Sequence, residues 1–174
     1  MWTKNSLIKC LFVACWMSTS GVSMAQEHDL AFGFFGDLNL QESAYDASFG
    51  LQGKYSYSNF QSIQAQFHGR GDLLAVGADY LVNFIDRTKS DFNVFLGAGL
   101  AQEFFTYDYA FPEGAGNSTQ VKENYTKLNG QAGVSYLFSE VDLSLYAGYK
   151  VKYQFEGEQF QPHFLIFGIR YHLW

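Results

Sequence analysis

The sequence predicts an all-β fold: an eight-stranded antiparallel up-and-down transmembrane β-barrel. Three observations carry this. Apolar and polar residues alternate in eight separate segments, no segment of comparable length has a helical period, and aromatic residues gather near the ends of the alternating segments. Successive strand side chains point to opposite sides, so period two marks a strand with one apolar and one polar face. Bulk composition conceals the pattern, because the 174-residue chain has a mean hydropathy of only −0.11. Hydrophobic residues make up 48%, too many for a disordered chain, and the net charge of −6 lacks the basic stripe that nucleic acid requires. The aromatic share, 19%, calls for an explanation.

The first element is not a strand. Lys4 and Lys9 precede an apolar run from Cys10 to Met17, and a small polar stretch ends in Ser23-Met24-Ala25. A basic region, a short apolar core and a small-residue site read as a secretory signal peptide over 1–25, cleaved between Ala25 and Gln26. The apolar run is too short to span a bilayer as a helix. The barrel domain is then 26–174. Both cysteines, Cys10 and Cys15, leave with the signal, so no disulfide or thiolate metal site is expected in it.

The strands follow in order. Leu30, Phe32, Phe34 and Leu38 alternate with Ala31, Gly33, Phe35 and Asp37. The longest strict alternation sets Tyr45, Ala47, Phe49, Leu51, Gly53, Tyr55 and Tyr57 against Asp46, Ser48, Gly50, Gln52, Lys54 and Ser56. Ile63, Ala65 and Phe67 oppose Ser62, Gln64, Gln66 and His68; Leu74, Val76, Ala78, Tyr80 and Val82 oppose Ala75, Gly77, Asp79 and Asn83. Phe92, Val94, Leu96, Ala98 and Leu100 oppose Asn93, Gly97, Gly99 and Glu103, and Thr126, Leu128, Ala132, Val134 and Tyr136 oppose Lys127, Asn129, Gln131 and Ser135. The seventh segment runs from Val141 to Phe155 with Asp142, Ser144, Lys150 and Lys152 on its polar side. The last sets Leu165, Phe167, Ile169 and Tyr171 against Gly168, Arg170 and His172.

Alternation alone does not say which face is outside, and a soluble periplasmic lipocalin-like ligand-binding barrel would share it. The apolar face is too bulky on all eight strands to fit a narrow interior. Tyr45, Tyr55, Tyr57, Tyr80, Phe84, Phe104, Tyr107, Tyr125, Tyr136, Phe138, Tyr153 and Phe155 fall near strand ends, as the aromatic girdles of a membrane barrel do. The polar face mixes charges that can pair inside: Lys54, Asp79, Glu103, Lys127, Asp142, Lys150, Lys152 and Arg170.

With its signal peptide, eight amphipathic strands and a final strand Phe164 to Trp174, the chain resembles the small eight-stranded outer-membrane barrels of Gram-negative bacteria, the OmpX/Ail group and the OmpA transmembrane domain. The resemblance implies a monomer in the cell outer membrane, surrounded by lipid and lipopolysaccharide. It also implies inward turns near 58–61, 84–91 and 138–140, outward loops near 41–44, 69–72, 107–123 and 156–160, and host surface proteins as possible partners. It further implies a C-terminal signal read by the barrel-assembly machinery. Trp174 supplies the terminal aromatic, while Tyr171 is in step with Leu173 rather than with Trp174, a mismatch that a bulge or overhang would absorb.

Chemistry-bearing motifs are few. His28, His68, His163 and His172 have no close ligand spacing, so no metal or cofactor is expected. The resemblance brings in lipid A-modifying enzymes as an alternative; His68 and Asp72 share one loop region, but no serine adjoins them, and no catalysis is expected. Arg70-Gly71-Asp72 is the integrin-binding tripeptide on a predicted outward loop; as a plain tight turn it would have Gly71 at positive φ. Tyr107, Tyr109, Phe111 and Glu113 in the longest loop are the other candidate surface contacts. A small pore is the last alternative, but an eight-stranded interior filled by residues such as Gln52, Gln64, Gln66, Asn129 and Gln131 leaves no large channel.

Overall fold

The computed structural model describes residues 29–40, 46–110 and 118–173. The predicted signal peptide with Ala25 and Gln26, the loop at 41–44, Phe111, Glu113 and Trp174 lie outside them. Eight strands follow one another: β1 Asp29–Asn39, β2 Asp46–Ser58, β3 Gln61–Arg70, β4 Leu73–Asn83, β5 Phe92–Ala110, β6 Ser118–Phe138, β7 Leu143–Gln154 and β8 Gln159–His172. Each pairs antiparallel with its chain neighbour, and β1 pairs with β8, so the sheet closes into a barrel. Closure removes every sheet edge within the wall, which the hydrocarbon of a membrane demands.

The predicted alternation is the alternation of the wall. On β3, Ser62, Gln64, Gln66 and His68 are buried while Ile63 and Phe67 are half exposed. The same inversion holds around the barrel: Gln52, Lys54, Asn93, Asn129 and Gln131 face in, and Phe34, Leu51, Val76, Leu96, Leu100, Val134 and Leu145 face out. A surface of that kind in water would be a very large apolar patch. Exposed aromatics flank it, with Tyr55, Phe84, Phe92, Tyr136, Phe138 and Tyr171 toward the end carrying the chain termini and Phe49, Phe104, Phe155 and Phe160 toward the other.

Three boundaries differ from the sequence reading. Asp142, expected in the interior, lies exposed in the turn before β7 with a φ of 52°. A residue in that conformation cannot continue the extended strand, so the inward series begins at Ser144. The expected loop at 107–123 is mostly strand, since β5 and β6 stay paired out to Ala110 and Ser118. β8 begins earlier than expected, at Gln159, and a bulge opposite Lys150 and Lys152 shifts its register. His163, at a φ of 78°, sits in that bulge. One extra residue reverses the parity, and so Gln161 joins Phe164, Ile166 and Arg170 on the inner side.

The lumen is closed across its middle by Phe35, Leu81, Phe95, Tyr146 and Ile166, all almost fully buried. Only Phe35 of these was placed on the polar face by alternation. They interdigitate with the polar side chains, and the Phe95 and Tyr146 rings meet edge-on with centroids 6.3 Å apart.

The β1–β8 seam depends on close approach of backbones. A Cβ on Gly33 would stand 1.8 Å from the Ile169 carbonyl oxygen and 2.7 Å from the Arg170 Cα. Gly71, at an outward turn, has nothing within 4 Å of such a Cβ, and contrary to the turn reading its φ is not positive. Gly33→Ala should therefore force the closing strands apart and lower the urea midpoint of the folded barrel by the equivalent of about 2 kcal/mol or more, within the range of core overpacking. Gly71→Ala should leave that midpoint unchanged; equal effects of the two substitutions would contradict this account of the seam.

Candidate functional site

Inward charges arrive in layers because each strand contributes alternate residues at a fixed height. Toward the loop end, Lys127 Nζ lies 2.6 Å from Glu103 Oε2, and Lys152 Nζ bridges Glu103 Oε1 at 3.2 Å and Asp37 Oδ2 at 2.9 Å. Lys127 also donates to Gln161 Oε1 at 2.8 Å, and Lys152 stands 4.2 Å from the Phe164 ring centroid. Asp37, which the sequence reading left outside its charge cluster, completes this network. Above it a cavity of about 130 Å³ opens outward, lined by Asp37, Arg70, Glu103, Phe105, Lys127 and Lys152 among others.

In the middle layer, Asp79 accepts hydrogen bonds from Gln66 at 3.0 Å and Gln131 at 3.2 Å, with Lys150 Nζ at 3.9 Å. Lys150 donates to Gln66 Oε1 and lies 4.9 Å from the Phe35 ring centroid. Lower down, Arg170 donates to Gln64 at 2.5 Å and Gln52 at 3.3 Å, with its guanidinium 3.8 Å from the Tyr146 ring centroid. Of the eight residues proposed for an interior cluster, the structure thus brings seven inside and leaves Asp142 on the turn.

At the end carrying the chain termini, a further cluster escaped the sequence reading. Arg87, from the β4–β5 turn, lies 2.6 Å from Asp29 Oδ2 and donates to Ser56 Oγ at 2.7 Å. His172 places Nδ1 2.9 Å from Asp29 Oδ1 and Nε2 2.8 Å from Ser144 Oγ. Ser144, His172 and Asp29 have the connectivity of nucleophile, base and orienting acid. The space bounded by Ser144 and His172 is about 20 Å³. What the cluster does is join β1, β2, β7 and β8 to one turn. That turn is itself ordered by Asp86, whose Oδ1 accepts from the Thr88 amide and hydroxyl; these hydrogen bonds hold the Asp86 carboxyl below its usual range.

The outward features are the Arg70–Asp72 turn and the β5–β6 hairpin. Arg70 Nε and Asp72 Oδ1 are 3.2 Å apart, so the two charges of the tripeptide engage each other. His68 belongs to the lumen rather than the rim, with Nδ1 2.8 Å from Ser48 Oγ. In the hairpin, Glu103 faces Tyr125, Phe105 faces Glu123 and Tyr107 faces Val121. This register puts Tyr107 and Tyr125 on the face that continues the barrel interior, which corrects their placement in a lipid girdle. Glu123 accepts from Tyr107 at 2.8 Å and from Tyr125, and the Phe105 and Tyr125 rings meet edge-on at 5.7 Å. The hydroxyls of Tyr125 and Tyr107 hold the Glu123 carboxyl below its usual range. Tyr109 lies in β5 opposite Thr119. Tyr171 is exposed on the outer wall.

The loop-end charge network yields a direct test. Lys152→Met would leave Asp37 and Glu103 buried with Lys127 as the remaining close cation, at a cost of about 3 kcal/mol or more. Urea unfolding should show that loss, and adding Asp37→Asn should recover part of it. Additive effects of the two substitutions would show that the pair is not coupled.

Known proteins agree with this architecture. The model of the Helicobacter outer membrane protein family matches residues 34–158. No curated protein matches the chain. Among solved structures, the N-terminal β-barrel domain of Pseudomonas aeruginosa OprF is similar at 16% identity and a TM-score of 0.67, over 85% of this chain and 99% of that one. Neisserial surface protein A is similar at 18% identity and a TM-score of 0.58, over 85% and 99%. Ail of Yersinia pestis, in complex with the heparin analogue sucrose octasulfate, is similar at 12% identity and 0.54, over 86% and 100%. With a closed eight-stranded wall that is apolar outside and charged inside, and a family match over most of its length, the chain belongs to the Helicobacter outer membrane protein family.

Proposed function

We propose that this outer-membrane barrel is a non-catalytic, monomeric surface-interaction protein whose contact element is the β5–β6 hairpin. The observation that carries the reading is the hairpin's reach. β4 accompanies β5 as far as the Leu73–Phe105 pair, yet β5 and β6 continue for five more pairs, from Thr106–Lys122 to Ala110–Ser118. At a strand rise of about 3.4 Å per residue, that is a ribbon of roughly 17 Å beyond the neighbouring strand. Its inner face presents Phe105, Tyr107, Glu123 and Tyr125, and ordered aromatic rings make contacts at low entropic cost. Phe111 and Glu113 belong to the same hairpin in sequence.

Charge narrows the partner. Between 106 and 123 the sequence has Asp108, Glu113 and Glu123 against Lys122, which suits a protein surface with basic and apolar groups better than a polyanion. A host surface protein is the partner class this favours. Lipid and lipopolysaccharide surround the wall, and the assembly machinery reads the terminal strand through Tyr171 and Trp174; the signal peptide directs export and is cleaved after Ala25. The Arg70–Asp72 ion pair supports the tripeptide as a turn rather than as the adhesive element. The aromatic plug and layered ion pairs support a barrel without a porin-sized channel.

Replacing residues 106–122 by Asn-Gly, a two-residue hairpin turn, tests the proposal. The trimmed barrel should reach the outer membrane and keep its heat-modifiable gel mobility while host-cell binding falls at least about tenfold, the loss of ~1.4 kcal/mol or more of contact energy. Undiminished binding by the trimmed barrel would refute the hairpin as the contact element.

A further inference from the structure

The buried charges of the lumen do not balance. Among the described residues, Lys54, Lys127, Lys150, Lys152 and Arg170 are buried cations, and Asp37, Asp79 and Glu103 are the buried carboxylates. The carboxylates are not shared evenly. Lys127 and Lys152 hold Glu103 and Asp37, and Lys150 stands beside Asp79. Arg170 is met by the neutral oxygens of Gln64 and Gln52 and by the Tyr146 ring. Lys54, only 5% exposed, has no hydrogen bond and no ion pair among the described residues. Both uncompensated cations lie in the half of the barrel nearer the chain termini.

They also line one cavity. The space of about 20 Å³ beside the terminal cluster is bounded by Lys54, Arg170, Arg87, Ser144 and His172. Register explains the convergence: Lys54 pairs with Ala31, Ala31 with His172, and Ser144 with Arg170, so inward side chains from β2, β8 and β7 meet at one height. Asp29 is the carboxylate of the terminal cluster. Asp29 is already engaged by Arg87 and His172. Asp91, also on the cavity wall, is exposed to solvent at the rim, where its charge is screened.

From this we infer that the cavity is a binding site for one small inorganic monoanion, of the size of chloride, held by Lys54 and Arg170 and entering from the end of the barrel that carries the termini. A buried ammonium without a counter-ion either loses its proton or acquires an anion, and the second cation, Arg170, on the same cavity favours the anion. A space of about 20 Å³ favours a small monatomic anion over a carboxylate or phosphate. The Ser144 hydroxyl, beside the cavity, is a neutral group that tolerates such an ion. The inference is independent of any role for the outward hairpin.

The test is urea unfolding of the refolded barrel in zwitterionic lipid vesicles, with chloride replaced stepwise by gluconate at constant ionic strength. Gluconate is too large for the cavity. The wild-type midpoint should rise with chloride and saturate, since a ligand bound only by the folded state stabilises it by mass action. Lys54→Met should abolish that dependence and, in gluconate, unfold at no lower urea concentration than wild type. Equal wild-type midpoints in the two salts, or a chloride dependence that survives in Lys54→Met, would overturn the site. Should that variant fail to fold, the chloride NMR line width over the wild-type barrel decides. Broadening that bromide competes away is the expected result, and its absence overturns the inference.

Discussion

Most of the charged and amide groups on the inner wall are held by other polar groups of the same wall. Lipid surrounds the barrel and supplies no hydrogen bonds, while the lumen is too narrow for bulk water. Lys152 shows how the constraint is met. One ammonium serves Asp37 from β1 and Glu103 from β5, and so ties together strands on different sides of the barrel. Asp79 does the same in reverse, gathering Gln66, Gln131 and Lys150 from β3, β6 and β7. Such contacts exist only when the six strands that carry them are in register. The network therefore couples closure of the barrel to the register of its strands.

The apolar outer face follows from the same closure. Lipid provides little drive for helix or strand association, and the wall is held by its ladders, its interior and the fit of neighbouring backbones. Gly33 lets β8 approach β1, and the Asp29–Arg87–His172 cluster ties the start of β1 and the end of β8 to the β4–β5 turn. Phe35, Phe95 and Tyr146 fill the remaining interior space and give Lys150 and Arg170 ring faces to rest on. A rigid wall and a filled lumen leave the β5–β6 hairpin as the element that extends beyond its neighbour.

Alternation made the wall legible from sequence, because the inward and outward sets on β2 and β3 differ sharply in chemistry. Where chemistry and parity part, the reading failed. Tyr146, Phe95 and Leu81 are apolar residues at inward positions, and nothing local distinguishes them from the lipid-facing set. Asp142 is a polar residue at an inward parity beyond the end of its strand. Gln161 faces inward only because of the bulge at His163, and the pairing of Tyr107 with Val121 follows from a register that the loop composition hides. Asp29, Arg87 and His172 stand far apart in sequence, and only barrel closure brings them together.

The orientation of the two faces is the claim on which the rest stands. Single cysteines placed successively from Phe49 to Ser56 on β2, spin-labelled in lipid bilayers, report it directly. Labels at 49, 51, 53 and 55 should be accessible to oxygen dissolved in the lipid, and labels at 50, 52, 54 and 56 should be shielded from it. Lipid access at the even positions, or no alternation at all, would contradict a charged interior enclosed by an apolar wall.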